Sequence, residues 1–235
     1  MKAIFKREFK SYFNDLTGFI FVGFSLFFLG LFVTLYNLTY LNSHIAYALS
    51  DMMLIIAILI PIVSLRSVLE ERKNGSYRLL CSLPLKPYEV VLGKYAAFLA
   101  LFAIPAAVAA LMPLFFNFFG EVNFAASYAS ILCFFLFGAA LIAVCTFISS
   151  VVNNPIIALV ISYIVLVLLF VVNSLTSLIP AGSVWGNILS FVAFFGAYDS
   201  FIYEMLDIRA IVYYMSVTVF FVFMSVRSFD KKSRE

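Results

Sequence analysis

Long apolar runs constrain this chain more than any other feature. A helix that crosses the hydrocarbon core of a membrane needs about 20 mostly apolar residues. Five runs qualify, at roughly 16–36, 52–69, 95–116, 125–150 and 156–178, and a sixth extends from about 210 to 226. Of the 235 residues, 65% are hydrophobic and 11% are charged, against about 45–50% and 25% in a soluble domain. A core of this size cannot hide that much apolar surface from water, so the solvent for most of it must be lipid. The first run follows a charged N-terminus, as a signal peptide would. It is too long for an apolar signal region of about 7–15 residues, and no small-residue cleavage site follows it, so it is expected to be retained as a span.

Orientation follows from Lys and Arg, which accumulate on the cytoplasmic side. Lys2, Lys6, Arg7 and Lys10 precede the first run. Arg66, Arg72, Lys73, Arg78, Lys86 and Lys94 lie between the second and third, and Arg227, Lys231, Lys232 and Arg234 follow the sixth. With six spans, every basic residue except Arg209 falls on one face, so both termini are expected in the cytoplasm. The apolar stretch from Ile188 to Tyr198 is too short to cross. A seventh span would also carry the basic tail outside, so residues 186–206 read as an outer re-entrant or surface helix pair, entered through Pro180, Gly182 and Gly186.

The expected fold is therefore all-α: six transmembrane helices in one domain over 1–235. An interfacial amphipathic helix occupies 1–14, a charged segment 66–94 and an outer loop 179–209. In the first, Phe5, Phe9, Tyr12 and Phe13 recur at helical spacing while Lys6, Lys10 and Asn14 form another stripe, a pattern suited to the headgroup layer. A generic anchor and a force-carrying elbow fit it equally.

Several chemistries are excluded. The net charge of +3 is modest and not gathered on a soluble face, which argues against nucleic-acid binding. Cys81, Cys133 and Cys145 have no CxxC partner and His44 is the single histidine, so neither a disulfide framework nor a metal site is expected. There is no phosphate-binding G-x-x-x-x-G-K-[ST] loop and no hydrolase or metalloprotease motif. Asn37-Leu38-Thr39 matches a glycosylation acceptor by chance. The spans hold almost no ionisable residue. Since a charge at mid-membrane costs at least ~2.5–3.5 kcal/mol and persists for function, this argues against an ion-driven carrier and for an apolar or amphipathic substrate. Polar candidates for a path are Ser162, Tyr163, Asn173, Ser174, Thr176 and Ser177 on the fifth span, each of which serves equally as a contact between helices.

The segment between the second and third spans is the most elaborate. Arg66 and Glu70 are four apart, and Glu70 and Lys73 three apart, so the second helix can continue past the membrane on paired charges. Asn74-Gly75 ends it with a residue that accepts positive φ. Leu79, Leu80 and Leu83 form a short apolar element punctuated by Pro84 and Pro87, and Pro87 can open the third helix. On pattern alone this is either a docking surface for a soluble partner or a solvated loop.

The run Glu70-Glu71-Arg72-Lys73-Asn74-Gly75-Ser76, followed by Leu80, Ser82-Leu83-Pro84 and Gly93-Lys94, resembles the cytoplasmic loop of ATP-binding-cassette permeases of the type-2 exporter family. The start, Lys6-Arg7-Glu8-Phe9-Lys10-Ser11-Tyr12-Phe13, is similar to the opening of the gliding-motility-type and copper-processing-type permeases of that family. The end is similar too, through Asp207-Ile208-Arg209, Tyr213-Tyr214 and Val226-Arg227-Ser228. The resemblance covers essentially the whole chain. One departure is Ala197-Tyr198-Asp199-Ser200-Phe201, where relatives often carry a histidine and this chain does not.

The resemblance implies a half-transporter in the bacterial inner membrane that pairs with a second copy or a related permease. Two copies of a separate ATPase would hold the ATP and Mg, and this chain would bind no cofactor. Glu70, Glu71, Arg72, Lys73, Gly75, Leu79, Leu80, Leu83, Pro84, Tyr88 and Glu89 would form the contact with that ATPase. The second and fifth spans would line the path, and loop 179–209 would close its exit. A non-transporting subunit that passes force or signal from an ATPase across the bilayer would carry the same contact.

Overall fold

A computed structural model describes residues 2–40, 44–73, 87–118, 122–152, 154–178, 194–202 and 207–234. The described residues are helical throughout, without a strand. The helices are α1 (Lys2–Asn14), α2 (Leu16–Val33), α3 (Ala46–Lys73), α4 (Pro87–Phe116), α5 (Phe124–Val151), α6 (Pro155–Leu178), the one-turn α7 (Asp199–Ile202) and α8 (Ile208–Arg234). Helices α2 to α6 and α8 contain six stretches long and apolar enough to span a membrane. In hydrocarbon a backbone must satisfy its own polar groups, and a helix does so within one segment.

Local signals set the helix ends. Asn123 caps α5 by accepting from the Ala126 N–H at 3.3 Å. Asn154 accepts from the Ile156 N–H at 3.0 Å, just before Pro155 in the first helical position of α6, where a missing N–H costs nothing. Asp207 accepts from the Arg209 N–H at 2.9 Å and opens α8. Pro61 interrupts α3, and Pro105 and Pro113 interrupt α4. Each removes one N–H from the ladder. Hydroxyls inside the spans mostly turn back onto their own helix, as Ser130 does to the Ala126 carbonyl, Thr218 to Tyr214 and Ser225 to Phe221.

Helix α5 is the hub. Its apolar stretch is 72% buried, against 17% for those of α6 and α8, and it packs on α3, α4, α6 and α8. Phe98 and Phe102 of α4, Phe134 and Phe137 of α5 and Tyr214 of α8 fill the core. At Gly138 the α4–α5 contact is so close that a Cβ would fall on the ring of Phe102. Tyrosines supply cross-ties, their rings half-buried and their hydroxyls donating: Tyr95 of α4 to the Ala139 carbonyl of α5 at 3.2 Å, and Tyr163 of α6 to the Ile58 carbonyl of α3 at 2.9 Å.

Helix α1 forms where the pattern predicts, with a different buried row. Ile4, Glu8 and Tyr12 are buried, and α1 packs on α4 and α2. Phe5, Phe9 and Phe13 form a half-buried ladder beside that row, with ring centroids 5.8 and 5.2 Å apart. Glu8 is tolerated in a buried row because Arg7 pairs with it at 2.6 Å. The chain turns at Asp15 into α2, where Gly18 lies so near Tyr12 that a Cβ would sit 2.6 Å from that backbone carbonyl.

Candidate functional site

Both termini lie at one end of the bundle. There Ile4 of α1, Val90 of α4 and Phe229 of α8 form a small apolar cluster. At this end α3 does not stop where its apolar stretch does. The charged run begins at Arg66, and the helix continues through it to Lys73, about 10 Å of helix at 1.5 Å per residue. Glu70, Glu71, Arg72 and Lys73 fall on the last turn of α3. Their side chains lie outside the described residues, as do Gly75, Leu79, Leu80, Leu83 and Pro84. The chain is described again at Pro87, which opens α4, with Tyr88 exposed, Glu89 half-buried and Val90 in the apolar cluster. The charged segment is thus bracketed by one helix that runs into it and by one whose first turn touches α1 and α8.

The polar residues of α6 do not form one row. Ser162 is buried and donates to its own helix, at the Ala158 carbonyl, at 2.8 Å. Tyr163 is spent on the tie to α3. Asn173 is half-buried, Ser174 donates to the Phe170 carbonyl at 3.2 Å, and the side chains of Thr176 and Ser177 lie outside the described residues. The open side of α6 is aliphatic, carrying Ile157, Val160, Ile164, Val167 and Leu168.

At the opposite end, part of the 179–209 loop is built into the bundle. Phe194 and Phe195 meet Phe137 of α5 with centroids 5.1 and 5.3 Å away. Tyr214 of α8 donates to the Phe194 carbonyl at 2.7 Å. A 3-10 turn at Gly196–Tyr198 and the short α7 then bury Tyr198 and Phe201. Burial pushes the Tyr198 hydroxyl well above its ordinary range, and partial desolvation raises the Asp199 carboxyl. Both shifts favour the uncharged form.

Ionisable residues occur near the ends of the apolar stretches. The apolar stretch of α3 begins at Ala46, so Asp51 lies inside it. Tyr36, on a π-helical turn Thr34–Leu38 that continues α2, donates to Asp51 Oδ2 at 2.6 Å. The tyrosine tempers a carboxylate that would otherwise be expensive in an apolar setting. The stretch of α4 likewise starts at Tyr88 and takes in Glu89 and Lys94 near its end.

The sequence model described as ABC-2 family transporter protein matches residues 33–227. That match runs from the last turn of α2 through every later span. The chain belongs to the ABC-2 transporter family. Comparison with curated proteins gave no match. ABC-2 membership makes it a transmembrane subunit of an ABC transporter: the membrane component rather than the ATPase, and a protein that works with an ATP-binding subunit. The ABC-2 match includes residues 74–86, so the family assignment covers the charged segment as well as the helices that bracket it.

Proposed function

We propose that this ABC-2 subunit is the permease of an ATP-driven exporter, coupled to its motor through residues 70–89. The observation that carries the coupling assignment is the continuation of α3 through the charged run from Arg66 to Lys73, about 10 Å of helix, with α4 restarting at Pro87. A soluble partner reaching that segment would move α4, and with it the cluster of Ile4, Val90 and Phe229. ATP and Mg belong to the partner, in two copies, and the permease pairs with a second copy of itself, since closed two-fold assemblies are the commonest solution for a half-path. Helices α3 and α6 line the path, and the buried aromatic turn at Phe194–Phe201 closes its exit. The substrate is amphipathic.

The test is purification of the tagged full chain with and without its ATPase. The expected result is a complex of two permeases and two ATPases, with hydrolysis present in the complex and absent from the permease alone. A monomer that neither recruits an ATPase nor depends on one would end this reading.

The same reading places both termini in the cytoplasm of a bacterial inner membrane, on the charge asymmetry. A reporter active only in the periplasm should be silent when fused after Glu235 and active when inserted near Asn42. The reverse pattern would invert the exporter and move the coupling segment away from any cytoplasmic motor.

A further inference from the structure

Helix α3 is largely buried, and what it leaves open is a single stripe. Tyr47, Asp51, Leu54, Ile58 and Ile62 recur at helical spacing, and the residues between them are mostly buried. Helices α2 and α6 both pack against α3. Leu54, Ile58 and Ile62 are exposed by 41–52%, forming an aliphatic track that leads up to a half-buried carboxylate. Among the described residues no cation pairs with Asp51. Its partner is neutral, the Tyr36 hydroxyl at 2.6 Å, and the Tyr36 ring stacks on Tyr47 with centroids 6.5 Å apart.

We propose that this stripe takes a lipophilic organic cation, meaning an apolar body with one diffuse or quaternary positive charge. The inference rests on α3 lining the transport path. Three requirements converge on that class. Asp51 is the acidic group of the stripe, and a positive charge complements it. Two tyrosine faces beside it attract ammonium-like charge through their quadrupoles. The aliphatic track below rewards an apolar body. A divalent metal is a poor fit, because it wants six or more oxygens and no group of three or more ligating side chains occurs among the described residues. An anionic amphiphile would meet the carboxylate head on.

The test measures equilibrium binding of tetraphenylphosphonium to the full chain in lipid nanodiscs. Tetraphenylborate, of the same shape and opposite charge, serves as the control. The wild-type chain should bind the phosphonium saturably and the borate not at all, a comparison that needs no variant. Asp51→Asn keeps an oxygen to accept from Tyr36 and removes only the charge. It should weaken phosphonium binding roughly ten-fold or more, as loss of a desolvated charge partner does, while eluting as wild type. Tyr36→Phe removes the tie but keeps the ring and the carboxyl group, so its loss of affinity should be clearly smaller than that of Asp51→Asn. Absence of saturable phosphonium binding would overturn the proposal, as would equal binding of the borate or wild-type affinity in Asp51→Asn. Equal losses in Asp51→Asn and Tyr36→Phe would also overturn it, by showing that Asp51 only pins α2. A chain that recruits its ATPase but binds no phosphonium loses the substrate class and keeps the transporter reading.

Discussion

Replacing Gly138 with valine is expected to disrupt the bundle at its centre. Helices α4 and α5 touch there without room for a side chain, since even a Cβ would fall on the far edge of the Phe102 ring. A flexible side chain would swing aside, but Phe102 is fully buried and held between Phe134 and Phe135, with centroids 5.5 and 5.9 Å away. Overpacking of this kind costs about 1–3 kcal/mol, occasionally more, and a chain of this length loses about 2–4 °C of apparent Tm per kcal/mol. The expected result is a fall of roughly 2–12 °C in purified protein, with reduced yield because α5 packs on α3, α4, α6 and α8. Thermal unfolding followed by a thiol-reactive dye suits the measurement, since Cys133 and Cys145 are both buried on α5. The companion change Phe102→Leu should recover much of the loss in the double variant, because the two positions share one volume and their effects cannot add. If Gly138→Val behaves as wild type, α4 and α5 do not meet at this point.

The membrane fold was legible because composition and run length carry it: six stretches appear where six apolar runs lie. Their edges were less legible. Helices α3 and α4, which carry the second and third runs, begin earlier than the runs do, at Ala46 and Pro87, because a helix continues through a few polar residues that a hydropathy window rejects. That rejection hid Asp51, which ends the polar lead-in by sequence and lies inside the span by structure. Its spacing from Tyr47 and Leu54 was the available signal. In α1 the buried row contains Glu8, so amphipathic periodicity alone favoured the flanking phenylalanines. Ser162 and Tyr163 looked alike as polar residues of one span, but adjacent helical positions point about 100° apart. One folds back on its own helix and the other reaches α3. The motor contact was legible only through resemblance, since charges, a Gly turn and two prolines fit a solvated loop as well.

Replacing Leu80 and Leu83 together with serine should release the ATPase. If residues 70–89 seat in a cleft on the motor, these leucines are apolar anchors at its centre, and such anchors cost about 2 kcal/mol or more each when lost. Allowing for non-additivity, the pair should weaken association by roughly a hundred-fold, enough to abolish co-purification. Both positions fall between the stretch that ends at Ser64 and the one that begins at Tyr88, so insertion and yield should hold. The double reversal Glu70→Lys and Glu71→Lys probes the same contact through charge. By sequence spacing along α3 it removes at most the i,i+4 and i,i+3 pairings with Arg66 and Lys73, worth about 0.2–0.5 kcal/mol each, too little to unfold a helix of 28 residues. Against a basic rim on the motor it turns attraction into repulsion, which acts mainly on association rate and salt dependence. The acidic pair should therefore give partial loss that high salt reduces, and the leucine pair a near-complete loss that salt leaves unchanged. A solvated loop predicts neither. Retention of the ATPase and of full coupled hydrolysis by both variants, at normal expression, would move the motor contact off this segment. The apolar cluster of Ile4, Val90 and Phe229 would then be the next place to look for it.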